Sequence, residues 1–215
     1  MNNKRIILAL IVLLSILISS PIIAIEKRST GFMHKHFAGG RIGAYTTVSD
    51  ETPPDEALTS LKFTKSSIYA EFFYAHRIIE PLAIELSVGI YSRGDVEYDN
   101  GVETSPVKLY PIWLSAKFYP FYKLPSPLHF FIQPGAGIFY GVHETYDYNY
   151  YVYEQDNKVK FTYMLGGGVD FPLGQSFGLT ASFKYIPVKF NKPLAEVEDY
   201  TGWTLAVGAG YIFGN

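Results

Sequence analysis

From Gly202 to Phe213 the chain alternates bulky and small residues without a break. Trp203, Leu205, Val207, Ala209, Tyr211 and Phe213 share one face of an extended strand, and Gly202, Thr204, Ala206, Gly208, Gly210 and Ile212 share the other. A soluble sheet with one wet face sets charge against bulk. Here bulk flanked by aromatic ends is set against almost no side chain at all. That is the pattern of a strand whose large residues meet lipid while its small ones face a crowded barrel interior. The same period of two predicts eight strands, near 37–47, 67–77, 82–92, 107–119, 128–141, 159–171, 176–187 and 202–213. Each matches or slightly exceeds the roughly 9–11 residues that cross hydrocarbon at a tilt. The joints alternate too. Residues 78–81, 120–127 and 172–175 are short turns; 48–66, 93–106, 142–158 and 188–201 are long and polar. Short periplasmic turns and longer external loops give that rhythm, so the expectation is an all-β, eight-stranded, antiparallel up-and-down transmembrane barrel with both termini on the periplasmic side.

The faces carry a second regularity. Outward sets such as Ile68/Ala70/Phe72/Tyr74, Leu82/Ile84/Leu86/Val88/Ile90 and Phe177/Leu179/Ala181/Phe183/Tyr185 contain no charge. Arg41, Glu71, Glu85, Lys117, Asp170 and Lys184 all fall in the opposite, lumen-facing register. A lipid-facing Lys or Arg at mid-bilayer costs about 2–4 kcal/mol, which explains the segregation. A soluble lipocalin-like barrel inverts the faces and accommodates the charges equally well. It leaves Gly135, Gly137, Gly166, Gly168, Gly208 and Gly210 studding an exterior where they would only weaken strands. The membrane barrel accounts for both.

Composition adds the address. Lys4 and Arg5 precede an apolar run from Ile6 to Ile18, then Ser19, Ser20 and Pro21, the order of a secretory signal. The run is too short for a spanning helix of about 20 residues. Residues 1–24 are read as a signal peptide cut after Ala24, with a cut after Ser20 as the alternative, and 25–215 as the barrel. Removal takes the formal charge from −2 to −4, which offers nucleic acid no basic footprint. The chain has no cysteine, hence neither disulfide nor lipid-acceptor thiol. Its 18 Tyr suit interfacial girdles.

At this point particular segments resemble a known group. Leu109-Tyr110-Pro111-Ile112-Trp113-Leu114-Ser115-Ala116-Lys117-Phe118-Tyr119 is similar to the Pro-x-x-Leu-x-x-Lys-Tyr strand of small outer-membrane barrels. Gln133 to Tyr140 resembles their Pro-Tyr-Val-Gly-Ala-Gly-x-Gly-Tyr strand, and Gly166 to Phe171, Phe183 to Val188 and Trp203 to Phe213 continue the likeness. It spans about 37–213 and points to the OmpW-like and OmpX/OmpA-like eight-stranded families. These commonly end on an aromatic residue, whereas Gly214 and Asn215 follow Phe213 here. The resemblance implies a bacterial outer-membrane location, insertion by the barrel-assembly machinery, and, for OmpW-like members, passage of small hydrophobic molecules.

Eight strands enclose an interior that side chains can fill. Arg41, Glu71, Glu85, Lys117 and Asp170 fall in its periplasmic half and form a candidate charge plug, either static or a gate that opens by exchanging partners. Tyr45, Tyr69, Tyr91, Leu109, Trp113 and Phe139 face inward on the external side. They either pack the barrel or line an apolar vestibule from which a small hydrophobe leaves sideways into the bilayer. The exit of the fifth strand, His143 to Tyr153, is rich in Tyr and either extends a hairpin or binds glycans or host proteins. Glu144, Asp147, Glu154 and Asp156 there offer lipopolysaccharide a contact through divalent ions, without the order of an EF-hand.

No catalytic, cofactor or metal site emerges. His76 and His129 lack a Ser–carboxylate pair at their heights, and His34 with His36 gives two ligands without a third. Gly166-Gly167-Gly168 opens no helix and is no phosphate loop. Three function classes follow: a non-enzymatic outer-membrane barrel with structural or hydrophobe-binding duties, a surface adhesin acting through its loops, and a membrane-embedded lipid-modifying enzyme. The partners expected are outer-membrane lipids, lipopolysaccharide, the assembly machinery and a small hydrophobic ligand.

Overall fold

A computed structural model describes residues 36–48, 66–93, 97–99, 102–124, 126–195 and 197–214. The signal-peptide reading of 1–24 and most of the first long joint lie outside them. The described residues form twelve strands: β1 (His36–Thr47), β2 (Ser66–Ile79), β3 (Leu82–Arg93), β4 (Glu97–Asp99), β5 (Val102–Thr104), β6 (Val107–Phe118), β7 (His129–Asp147), β8 (Val152–Leu173), β9 (Phe177–Ile186), β10 (Lys189–Leu194), β11 (Val197–Asp199) and β12 (Gly202–Phe213). Eight of these close a ring in the order β1-β2-β3-β6-β7-β8-β9-β12, antiparallel throughout, with β12 pairing back to β1 and β7 to β8. Closure leaves no bare edge in the wall, the condition for a sheet to cross hydrocarbon.

Three of the joints read as long polar loops are structured. The third contains the β4–β5 hairpin, whose β5 pairs with the outer end of β7. The fifth is no loop: β7 and β8 run on as one hairpin to a turn at 148–151, Asp147 facing Val152. Alternation continues there in polar dress, because both faces are wet above the membrane. The seventh folds as β10–β11 and packs into the barrel mouth. At the other end the second joint tightens to Glu80 and Pro81.

The wall shows why these strands bury the faces they do. Outside, Ile68, Phe72 and Phe161 are each more than 70% exposed, and Leu114, Val159 and Phe177 are bare as well. An apolar surface of this extent belongs against lipid. Tyr110 and Tyr140 pair at the long-loop rim, their centroids 6.2 Å apart, as Phe177 and Tyr211 do at the short-turn rim. Aromatic rings at both levels form the two girdles of a membrane barrel. Inside, glycines make room for larger neighbours. A Cβ on Gly208 would lie 2.7 Å from Arg41 Cγ, and one on Gly137 2.7 Å from Trp113 Cε3.

Leu114 faces out near the middle of β6, between Leu86 and Ala136. Replacing it with Arg is expected to lower unfolding stability in lipid vesicles by about 2–4 kcal/mol, measured by urea titration. A loss under about 0.5 kcal/mol, typical of a wet surface, would place that face in water.

Candidate functional site

The lumen is stacked in layers. Nearest the short turns is an apolar floor of two clusters, Phe37/Phe73/Ala75/Ile212 and Ala83/Tyr119/Phe131. On it rests a chain of six ionised side chains, each from a different strand and each with its side chain no more than 1% exposed. Lys184 of β9 bonds Glu71 of β2. Glu71 lies 3.3 Å from Arg41 of β1. Arg41 donates from both terminal guanidinium nitrogens to Glu85 of β3, at 2.8 and 2.6 Å. Lys117 of β6 stands 3.5 Å from Glu85 and 2.7 Å from Asp170 of β8.

Sign alternates along the whole chain, +−+−+−, so the layer is neutral. That matters because an unpaired ion in low dielectric costs several kcal/mol. Neutral groups complete it. Gln133 of β7 donates to Glu85 and to Ser115, both at 2.8 Å, and Tyr119 donates to Asp170 at 2.8 Å. Two cations also sit on the floor's rings: Arg41 is 3.9 Å from the Phe73 centroid, and Lys117 is 3.9 Å from that of Phe131. Such stacking adds attraction in a desolvated site.

All five residues of the sequence-derived plug are brought together here. Lys184, lumen-facing in the sequence pattern, joins them as a sixth member, where the five alone set three negative charges against two positive. The imbalance was itself the signal for a missing cation.

Above the ions lies the aromatic chamber. Tyr45, Tyr69, Tyr91, Leu109, Trp113 and Phe139 are all 2% exposed or less and belong to one cluster with Met164 and Ile186. Tyr45 and Tyr91 stack at 3.8 Å, and Trp113 meets Phe139 at 6.2 Å. The chamber is full, and what fills its outer part is the seventh joint. The described residues of 187–195 and 197–201 form a strap that turns Val188, Phe190, Leu194, Val197 and Tyr200 into the lumen, each 2% exposed or less. Lys189, Asn191 and Lys192 point outward on its other side. Tyr45 Oη donates to the Tyr200 carbonyl at 2.5 Å, Tyr200 Oη to the Leu194 carbonyl at 2.6 Å, and Thr162 Oγ1 to the Pro187 carbonyl. Arg93 reaches the Asp199 carbonyl at 3.4 Å. Sequence reasoning missed the strap, although apolar residues at 188 and 190 carry the alternation that marks strands elsewhere.

The β7–β8 hairpin stands clear of this. Glu144 accepts hydrogen bonds from Lys108, at 3.0 Å, and from Tyr153, which hold its carboxyl below the usual range. Tyr150 and Tyr151 project from the tip, 78% and 82% exposed, and Tyr151 has a left-handed φ of 53°. Among the described residues no group of three or more His, Cys, Asp or Glu is arranged to hold a metal ion.

Comparison with solved structures places the fold. Ail, the attachment invasion locus protein of Yersinia pestis, aligns with a TM-score of 0.53 and 17% identity, covering 84% of this chain and 100% of that one. OprG, an outer-membrane protein of Pseudomonas aeruginosa, aligns at 0.54 and 17%, covering 85% and 97%. AlkL, solved in lipid bilayers, aligns at 0.50 and 17%, covering 88% and 95%. No protein-family model matches the sequence, and no curated protein matches it. The chain has the fold of the small outer-membrane barrels.

Removing one member of the ion layer strands its partners. Glu85→Ala leaves Arg41 and Lys117 undercompensated and is expected to cost about 3–5 kcal/mol in vesicle unfolding titrations. Glu144→Ala, which breaks an exposed pair, is expected to cost less than about 1 kcal/mol. Equal losses would deny the layer its buried, low-dielectric character.

Proposed function

We propose that the protein is a non-enzymatic barrel of the bacterial outer membrane that binds small hydrophobic molecules in the aromatic chamber, with the 187–201 strap as movable cover. Residues 1–24 direct export, the barrel-assembly machinery inserts residues 25–215, and lipopolysaccharide surrounds the outer rim. The observation that carries this reading is the nature of the seal. The chamber is closed by five apolar side chains of a connecting segment, not by the wall. A strap can leave without breaking the ring of strands, and what it vacates is a space shaped for hydrocarbon and rings.

The floor of the chamber supports a sideways exit. The ion layer below bars passage straight through, since an apolar solute would have to displace paired charges. Beside the chamber the ladder between β3 and β6 skips from Val88–Ile112 to Tyr91–Leu109. Pro111, which has no N–H to donate, lies in the gap opposite Gly89. This gap lies at the height of the chamber, where a ligand would leave for the bilayer.

The test uses Trp113 as reporter, with Trp203 replaced by Phe. A brominated medium-chain fatty acid is expected to quench its emission. Phe190→Ala with Leu194→Ala, which loosens the strap, is expected to tighten apparent affinity by about tenfold, because the competent state becomes more populated. Flat titrations in both proteins would remove the chamber as a binding site.

A second reading rests on the hairpin tip. Tyr150 and Tyr151 are bare aromatic rings held out by a left-handed residue, and such rings give contact area at low entropic cost. Ail is an attachment protein, and one of its structures holds the heparin analogue sucrose octasulfate. Replacing Tyr150 and Tyr151 with Ser is expected to abolish attachment of expressing bacteria to host cells while leaving the barrel folded. Unchanged attachment would discard this role.

A further inference from the structure

At the short-turn rim, outside the lumen, the first and second barrel strands bring two histidines into contact. His36 opens β1, and His76 lies directly opposite it on β2. Their Nδ1 atoms are 3.3 Å apart, with ring centroids 4.8 Å apart. The Tyr74 hydroxyl lies 2.7 Å from the same His36 Nδ1. Phe213, on the other side of β1, stacks on the His36 ring at 5.1 Å and 16°, which fixes its plane. Neither the lumen layers nor the strap touches this cluster.

We propose that His36 and His76 form a binding site for one late first-row divalent metal ion, held through both Nδ1 atoms with Tyr74 beside it.

The argument starts from lone pairs. A neutral imidazole nitrogen carries either one hydrogen or one lone pair. His36 Nδ1 is approached by two polar atoms, Tyr74 Oη and His76 Nδ1, and can serve only one of them well. Three atoms able to ligate a metal, two imidazole nitrogens and a phenol oxygen, therefore converge on one point. A metal ion can be held there by the lone pairs of both nitrogens.

Geometry agrees. Zinc–imidazole bonds of about 2.0–2.1 Å at a tetrahedral angle set the two nitrogens about 3.3–3.4 Å apart, the separation found here. Imidazole ligands favour zinc, copper and nickel over magnesium or calcium. Two protein nitrogens leave the remaining positions to water, to a headgroup oxygen, or to Tyr74. Such a site is open rather than caged, which suits an exchangeable ion at the membrane surface.

The position gives it a consequence. β1 is the strand to which β12 closes the barrel, and His36 pairs with both His76 and Phe213. An ion bridging β1 and β2 here clasps the end of the chain's first barrel strand. Because it binds the folded state alone, it raises thermal stability in proportion to its occupancy.

The experiment uses tag-free barrel in lipid nanodiscs titrated with Cu(II), followed by electron paramagnetic resonance and by the thermal unfolding midpoint. The expected result is about one tightly bound ion per barrel, with hyperfine structure from two imidazole nitrogens. His36→Ala and His76→Ala, each verified as folded by heat-modifiable gel mobility, are expected to weaken binding by about tenfold or more and to abolish the midpoint shift. Unchanged binding in His76→Ala would overturn the proposal, placing the copper on other donors. Absence of the two-nitrogen signal in the unmodified protein would also overturn it, leaving the pair as an ordinary hydrogen bond.

Discussion

Within the thickness of a membrane, a charge has nowhere to go but inward, and once inward it must be answered. That constraint organises this barrel. Six strands each contribute one charged group to the same layer of the lumen, and the groups join in a single alternating chain from Lys184 to Asp170. The pleat has a period of two, so slipping any of those strands by one residue would send its charge to the lipid and its large apolar side chains into the lumen. The ion layer therefore specifies register around most of the ring. β12 supplies no charge and answers with space, its Gly208 lying under the Arg41 side chain.

Above and below, apolar groups raise the stakes. Phe73 and Phe131 underlie two of the cations, and the aromatic chamber covers the layer from the other side. Sealing the ions from water makes each pair stronger and each loss more damaging. The same sealing separates the two ends of the lumen. The strap closes the outer end and is tied to β8 through Thr162–Pro187 and Lys160–Asn191, while the tyrosine tip projects beyond it.

Much of this was legible in the residues because it depends on local alternation. The bare outer faces of β2, β3 and β9, and the turning of Arg41, Glu71, Glu85, Lys117 and Asp170 to the lumen, follow from which positions share a face. What stayed hidden depends on height and on distant pairing. Lys184 joins the layer because β9 is staggered to bring it beside Glu71, 113 residues earlier. His36 meets His76 through a register that no short window contains. The strap looked like a polar loop because Lys189, Asn191, Lys192 and Asp199 dominate its composition, while Phe190, Leu194 and Tyr200 are spaced too irregularly to read as a strand. The extended β7–β8 hairpin was cut short for the opposite reason: above the membrane both faces are polar, and the alternation loses its contrast.

A sealed lumen with a neutral ion layer carries no steady current. Single barrels reconstituted in planar bilayers at neutral pH are the most direct examination of this, because current reports on the whole stack of layers at once. The account predicts a membrane that stays at baseline conductance under moderate voltage. A steady ohmic conductance from the folded, unmodified barrel would mean that water and ions run past Arg41 and Glu85, and the closed, charge-paired interior described here would be wrong.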